Sequence, residues 1–147
     1  MQNSKQMAKI LGGAGLIPIF LADVGVAYGY GAVAASLGTI YVAIILGFLG
    51  AIHWGLALDR EQEPGLAIPL LLWSVIPALW GFFSLWFTPA LALILLIVGF
   101  VIQWLADWRL QRRITLPAWF FPLRSALSIG MILLLLAMLA EIYFLHP

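Results

Sequence analysis

Apolar residues gather into five long runs, at about 7–28, 34–58, 66–87, 90–108 and 123–144, each ended by a short polar or turn-forming segment. A helix crosses a bilayer in about 20 mostly apolar residues, so each run has the length of a span. The runs are continuous, without the alternation of barrel strands, and backbone groups inside hydrocarbon must pair within the protein. The pattern predicts an all-α integral membrane protein, a five-transmembrane-helix bundle forming a single membrane domain over 1–147. Gly29-Tyr30-Gly31 and Thr88-Pro89 read as tight turns, so the helices they join are antiparallel neighbours. Asp59-Arg60-Glu61-Gln62-Glu63-Pro64-Gly65 reads as a polar loop closed by a Pro-Gly turn, and 109–122 as a basic loop. Pro18 and Pro77 fall inside helices 1 and 3, where proline kinks a helix and frees a carbonyl.

Composition agrees with this picture. The chain is 65% hydrophobic and 9% charged, against about 45–50% and about 25% for a soluble domain. The absence of cysteine excludes disulfides, thiolate zinc sites, cysteine-ligated clusters and cysteine nucleophiles. A net charge of +1 gives no pull toward nucleic acid. Lys5, Lys9 and the following apolar run, with Ala32-Val33-Ala34 beyond, imitate a signal peptide. Asp23 interrupts the interval and the cleavage-like site lies far from the run, so the segment reads as a retained membrane helix.

Charge sets the orientation. With five crossings, the N-terminus, the 59–65 loop and the 109–122 loop share one side, and all seven basic residues (Lys5, Lys9, Arg60, Arg109, Arg112, Arg113, Arg124) fall there. Four or six crossings would lose this segregation. The positive-inside rule then predicts a cytoplasmic N-terminus and an outside C-terminus. Tyr28, Tyr30, Trp80, Trp86, Phe87 and Tyr143 fall near the outer boundary, and Trp54, Trp104, Trp108 and Trp119 near the inner one. These are belt positions, although Trp54 and Trp80 are equally placed to pack helices. The segment around Arg109, Arg112 and Arg113, with Trp108, Leu110 and Ile114, suits the inner leaflet and its anionic lipid head groups.

His53 lies one to two turns inside helix 2, where an ionisable group must face protein or water. An imidazole there can relay a proton, hold a head group or a metal, or simply hydrogen-bond a neighbouring helix. Gln103 and Asp107 are one turn apart on helix 4, and Arg124 opens helix 5. All share His53's depth, which predicts a cluster of His53, Gln103, Asp107 and Arg124 with an Asp107–Arg124 ion pair; the alternative is that Asp107 and Arg124 point separately to water. His146 sits at the opposite end and cannot join His53 across one haem. Asp23 and Glu141 form either an acidic mouth or two surface-seeking carboxylates. Gly47, Ala51 and Gly55 repeat every four residues as a stripe for helix packing, within the chain or between copies. Gly29-Tyr30-Gly31-Ala32-Val33-Ala34 fits a dinucleotide fingerprint without its strand and is a chance match, as is Gly12-Gly13-Ala14-Gly15. No catalytic constellation stands at a common depth, and the sequence points to no catalytic residue, cofactor or metal.

Three segments carry a family likeness: Leu11-Gly12-Gly13-Ala14-Gly15-Leu16-Ile17-Pro18; Phe48-Leu49-Gly50-Ala51-Ile52-His53-Trp54-Gly55; and Gln103 with Asp107, followed by Leu116-Pro117-Ala118-Trp119-Phe120 and Leu123-Arg124. Together they resemble a family of bacterial inner-membrane proteins grouped as a domain of unknown function and related to mitochondrial transmembrane protein 69. The resemblance implies a multi-pass protein of the bacterial inner (plasma) membrane and carries no activity with it. It draws attention to His53, Trp54, Gln103, Asp107 and Arg124 as ligand-binding candidates. The first functional reading is a module that binds or moves a lipid head group, a quinone-like molecule, an ion or a proton at the polar cluster. The alternative is a non-catalytic accessory or assembly subunit of a larger membrane complex, or a homo-oligomer. An enzyme is a third, lacking a reactive cluster.

Overall fold

The computed structural model describes residues 2–145. Its elements are α1 (Gln2–Ala14), α2 (Ile17–Ala27), α3 (Gly31–Leu58), α4 (Pro64–Ser84), α5 (Pro89–Leu110) and α6 (Phe120–Leu145), with no strand among the described residues. Five stretches are long and apolar enough to cross a membrane: Asn3–Ala27, which joins α1 and α2, and then α3, α4, α5 and α6. The protein is a multi-pass helical membrane bundle. His146 lies outside the described residues.

The first span departs from the expected single helix over 7–28: it breaks at Gly15-Leu16. Pro18 has no N–H, so it cannot serve the Ala14 carbonyl, and the preceding glycines resist the break weakly. The last turn of α1 tightens, with Gly15 N–H shared between the Leu11 and Gly12 carbonyls at 3.0 and 3.1 Å. The Tyr41 hydroxyl of α3 donates to the Gly15 carbonyl at 2.7 Å, so the break is tied to its neighbour. The turn after α2 passes through Gly29, whose φ of +94° is the left-handed conformation that favours glycine. The Tyr30 N–H returns to the Gly25 carbonyl and the Gly29 N–H to Val26, which closes the turn into α3. Arg109, expected in the basic loop, falls within α5, and α6 begins earlier than expected, with Pro122 in its first turns.

The helices form a ring, α2–α3–α4–α5–α6 and back to α2, and α3 also touches α5 across the middle. The core at the centre is built from Ile19, Val42, Leu46, Leu96, Phe100 and Leu135, among others. The most extensive pairing is α3 with α4, and glycine lets the two backbones approach closely. A Cβ on Gly50 would stand 2.7 Å from the Ser74 carbonyl oxygen and 2.8 Å from Pro77 Cγ, and one on Gly81 2.9 Å from the Ala43 carbonyl oxygen. Within the chain, only the first member of the stripe meets another helix: Gly47 packs on Ala78, while Ala51 is exposed and a Cβ on Gly55 would touch nothing within 4 Å. A four-residue step rotates about 40° around a helix of 3.6 residues per turn, so the row drifts off the α4 face.

Trp80 packs rather than floats. Its indole N–H donates to the Leu95 carbonyl at 2.7 Å, over Gly99, where a Cβ would lie 2.8 Å from the ring. At the same end, Tyr28, Tyr30, Trp86, Phe87 and Tyr143 are all exposed, as interfacial rings are.

Candidate functional site

At the end that carries the 59–63 and 111–119 segments, four helices each send a polar side chain inward. His53 comes from α3, Trp73 from α4, Gln103 and Asp107 from α5, and Arg124 from α6. His53, Gln103, Asp107 and Arg124 are 2%, 1%, 1% and 6% exposed. Charged groups at such depth need both a counter-ion and hydrogen bonds, and these have them. Arg124 Nε donates to Asp107 Oδ2 at 2.6 Å, and Arg124 Nη2 to the Leu49 carbonyl at 3.2 Å. Gln103 Nε2 donates to Asp107 Oδ1 at 3.1 Å, and Trp73 Nε1 donates to Gln103 Oε1 at 3.1 Å. This fixes the amide's orientation: the indole only donates and the carboxylate only accepts, so the flipped amide would face like with like at both ends.

His53 is the unfinished member. Its Nε2 lies 3.4 Å from Asp107 Oδ1, and neither ring nitrogen completes a hydrogen bond among the described residues. Its backbone follows Gly50 by three residues, so the close approach of α3 to α4 at Gly50 is also what seats the imidazole in the bundle.

Two cavities flank the network. The larger, about 400 Å³, opens between α1, α3 and α6 and is lined by Leu11, Ile45, Phe48, Leu127 and Met131, with Arg124 and Ser128 as its polar groups. Ser128 follows Arg124 by one turn, on the same face. The guanidinium has five N–H donors, of which the described hydrogen bonds use two. The smaller, about 330 Å³, lies between α3, α4 and α5, with His53 and Trp73 inside and Arg109 and Arg113 in its wall. Both volumes sit at the lower end of the range for small-molecule sites, about 300–1,000 Å³. Arg124 thus faces one cavity, His53 the other, and Asp107 stands between them.

The remaining candidates separate. Trp54 is half exposed and hydrogen-bonds nothing among the described residues; one residue past His53 is a rotation of about 100°, so the ring turns outward as the imidazole turns inward. Trp104, expected in a belt, donates to the Ser125 hydroxyl at 2.9 Å. The Arg112 guanidinium stacks 3.7 Å over the Trp108 ring. Leu110 and Ile114 are buried in a small cluster with Ala57 and Leu70, while Arg109, Arg112 and Arg113 are exposed. Asp23 and Glu141 are within electrostatic range of each other. Each keeps one buried oxygen without a hydrogen bond. No group of three or more histidine or acidic side chains poised for a metal occurs among the described residues. Trp73 and Ser128 are the two contributors that sequence reasoning passed over: an indole and a serine inside apolar runs carry no signal until the facing helix is known.

The chain is 32% identical over 133 residues to Transmembrane protein 69 of Xenopus tropicalis, an alignment covering 88% of this chain and 52% of that protein. It therefore spans about half the length of that relative. No solved structure matches the chain at a significant level. The family model described as "Protein of unknown function (DUF3429)" matches residues 4–140, nearly the whole length, and the chain belongs to that family.

Proposed function

We propose that this chain binds a membrane-resident amphiphile in the cleft between α1, α3 and α6, with Arg124 as the contact for its head group. A molecule with a quinone-like or lipid-like tail and a carbonyl or carboxylate head matches the lining: apolar walls, with Arg124 and Ser128 at one place. The observation that carries the reading is the state of Arg124, buried and charge-balanced by Asp107 while most of its N–H donors go unused by the network. Asp107, Gln103 and His53 then act as the support that holds the guanidinium in place. Orientation follows the basic residues, with the N-terminus in the cytoplasm of a bacterial inner membrane, and Arg109, Arg112 and Arg113 at the anionic inner surface.

Trp119 also lines the cleft, so decylubiquinone and oleic acid can be titrated into detergent-solubilised protein with tryptophan fluorescence as the readout. Saturable quenching or displacement is expected. It weakens at least about tenfold, roughly 1.4 kcal/mol, in Leu127→Trp, which fills the cleft, and in Arg124→Lys, which keeps the charge but not the fork. Non-saturable response to both probes, or identical curves in both variants, sinks the reading.

The second reading, an accessory or assembly subunit, draws on one surface. Ala51 and Gly55 leave a shallow, uncovered strip on α3 that another transmembrane helix fits closely. Cross-linking through cysteines placed at Ala51 and Gly55 in membranes tests it, and only detergent or lipid adducts would count against it.

A further inference from the structure

The pocket on the other side of Asp107 is a different kind of site. Its inner part is buried and holds the His53 imidazole, 2% exposed and without a completed hydrogen bond. Its wall includes Trp73. Arg109 and Arg113, one helical turn apart on α5 and just beyond it, belong to the same pocket and are exposed. Asp59, Glu61 and Glu63 stand in the exposed loop at this end of the bundle and line none of it. Two guanidinium groups in one lining with a histidine whose ring completes no hydrogen bond, the nearest carboxylate (Asp107, 3.4 Å from Nε2) being already paired with Arg124, make a receptor for oxygen anions. Guanidinium pairs with phosphate through parallel N–H bonds, and a ligand oxygen can complete the hydrogen bond that the imidazole leaves open.

We propose that this pocket is a specific site for a phosphate ester, with Arg109 and Arg113 holding the phosphate and His53 contacting the group below it. The cavity of about 330 Å³ has room for a phosphate and a glycerol-sized portion. The source is either the head group of an anionic phospholipid or a small soluble phosphate ester. The site differs from diffuse attraction of a basic surface to acidic lipid. Diffuse attraction counts charges and treats Arg109, Arg112 and Arg113 alike. A built site excludes Arg112, which lies over Trp108 instead, and depends on His53, which diffuse attraction ignores. The proposal stands apart from the occupant of the Arg124 cleft.

The test is native mass spectrometry of the purified protein with phosphatidylglycerol, phosphatidylcholine or glycerol 1-phosphate added. Retention of phosphatidylglycerol over phosphatidylcholine supports the lipid source, and retention of glycerol 1-phosphate alone supports the soluble one. For whichever is retained, Arg109→Gln with Arg113→Gln lowers affinity at least about tenfold. His53→Gln, which keeps an amide donor beside Asp107, lowers it severalfold, and Arg112→Gln leaves it within about twofold. Arg109 and Arg113 are exposed, so their variants keep the fold, and cleft quenching at Trp119 stays unchanged in them. Equal losses for all three arginines with no effect at His53, or no selective retention of any of the three molecules, overturns the proposal.

Discussion

The molecule buries charge in two places and handles it differently in each. At the basic end, one arginine and one aspartate lie almost wholly inside the bundle, closed by Gln103, Trp73 and the Leu49 carbonyl. At the opposite end, Asp23 and Glu141 come within range of each other with no cation among the described residues, and both stay only partly buried. Depth follows compensation. A charge in the middle of a span costs roughly 2.5–3.5 kcal/mol on insertion scales and less toward its ends, and the Asp107–Arg124 pair offsets that term with opposite charge and with hydrogen bonds to Gln103 and the Leu49 carbonyl. Two like charges cannot do so, and they remain where water or head groups still reach them.

Removing one partner of the compensated pair should therefore produce the largest change. Arg124→Ala strands a buried carboxylate and is expected to destabilise the bundle by about 3–5 kcal/mol, read from unfolding in mixed detergent micelles; Asp107→Ala should act similarly. Gln103→Leu removes the bonds to Trp73 and Asp107 together. The Trp73 bond is interhelical, a class that averages about 0.6 kcal/mol in membranes with a maximum of about 1.7, while the Asp107 bond lies within α5; a loss of roughly 1–2 kcal/mol is expected, and Trp73 fluorescence should shift. Gly50→Ala drives a methyl into the Ser74 carbonyl and the Pro77 ring, with an expected loss of about 1–3 kcal/mol from overpacking; Gly55→Ala, with open space around it, should stay within about 0.5 kcal/mol. Asp23→Asn removes one of two like charges and should leave stability unchanged or raise it by under about 1 kcal/mol. A large loss at Asp23 would mean that the acidic pair holds a cation, and the contrast between the two ends would fail.

Much of this was legible in the sequence. The five runs lie within a few residues of the observed spans, because length and apolarity are the property that the bilayer selects. The shared depth of His53, Gln103, Asp107 and Arg124 followed from counting crossings, and the helix period put Gln103 beside Asp107. What the sequence left open was rotation. The stripe through Gly47, Ala51 and Gly55 looked like one face, yet the residue that admits α4 is Gly50, three positions on from Gly47. Trp73 entered the network because α4 faces α5 at that height, which no pattern within α4 reveals. Pro18 signalled a kink in the first helix, although not a full break at Gly15-Leu16. The hydroxyl that receives the freed segment, on Tyr41, was not signalled, because the two residues meet only after α3 folds back on α2.

The central claim is that Asp107 and Arg124 act as one buried unit joining α5 to α6. The direct test is a double-mutant cycle with Asp107→Asn, Arg124→Gln and the pair, measured by reversible unfolding in mixed micelles. The account predicts that the double variant loses less than the sum of the single losses, by at least about 2 kcal/mol of coupling. Losses that add to within about 0.5 kcal/mol would contradict it, and would return both side chains to the status of independent boundary charges.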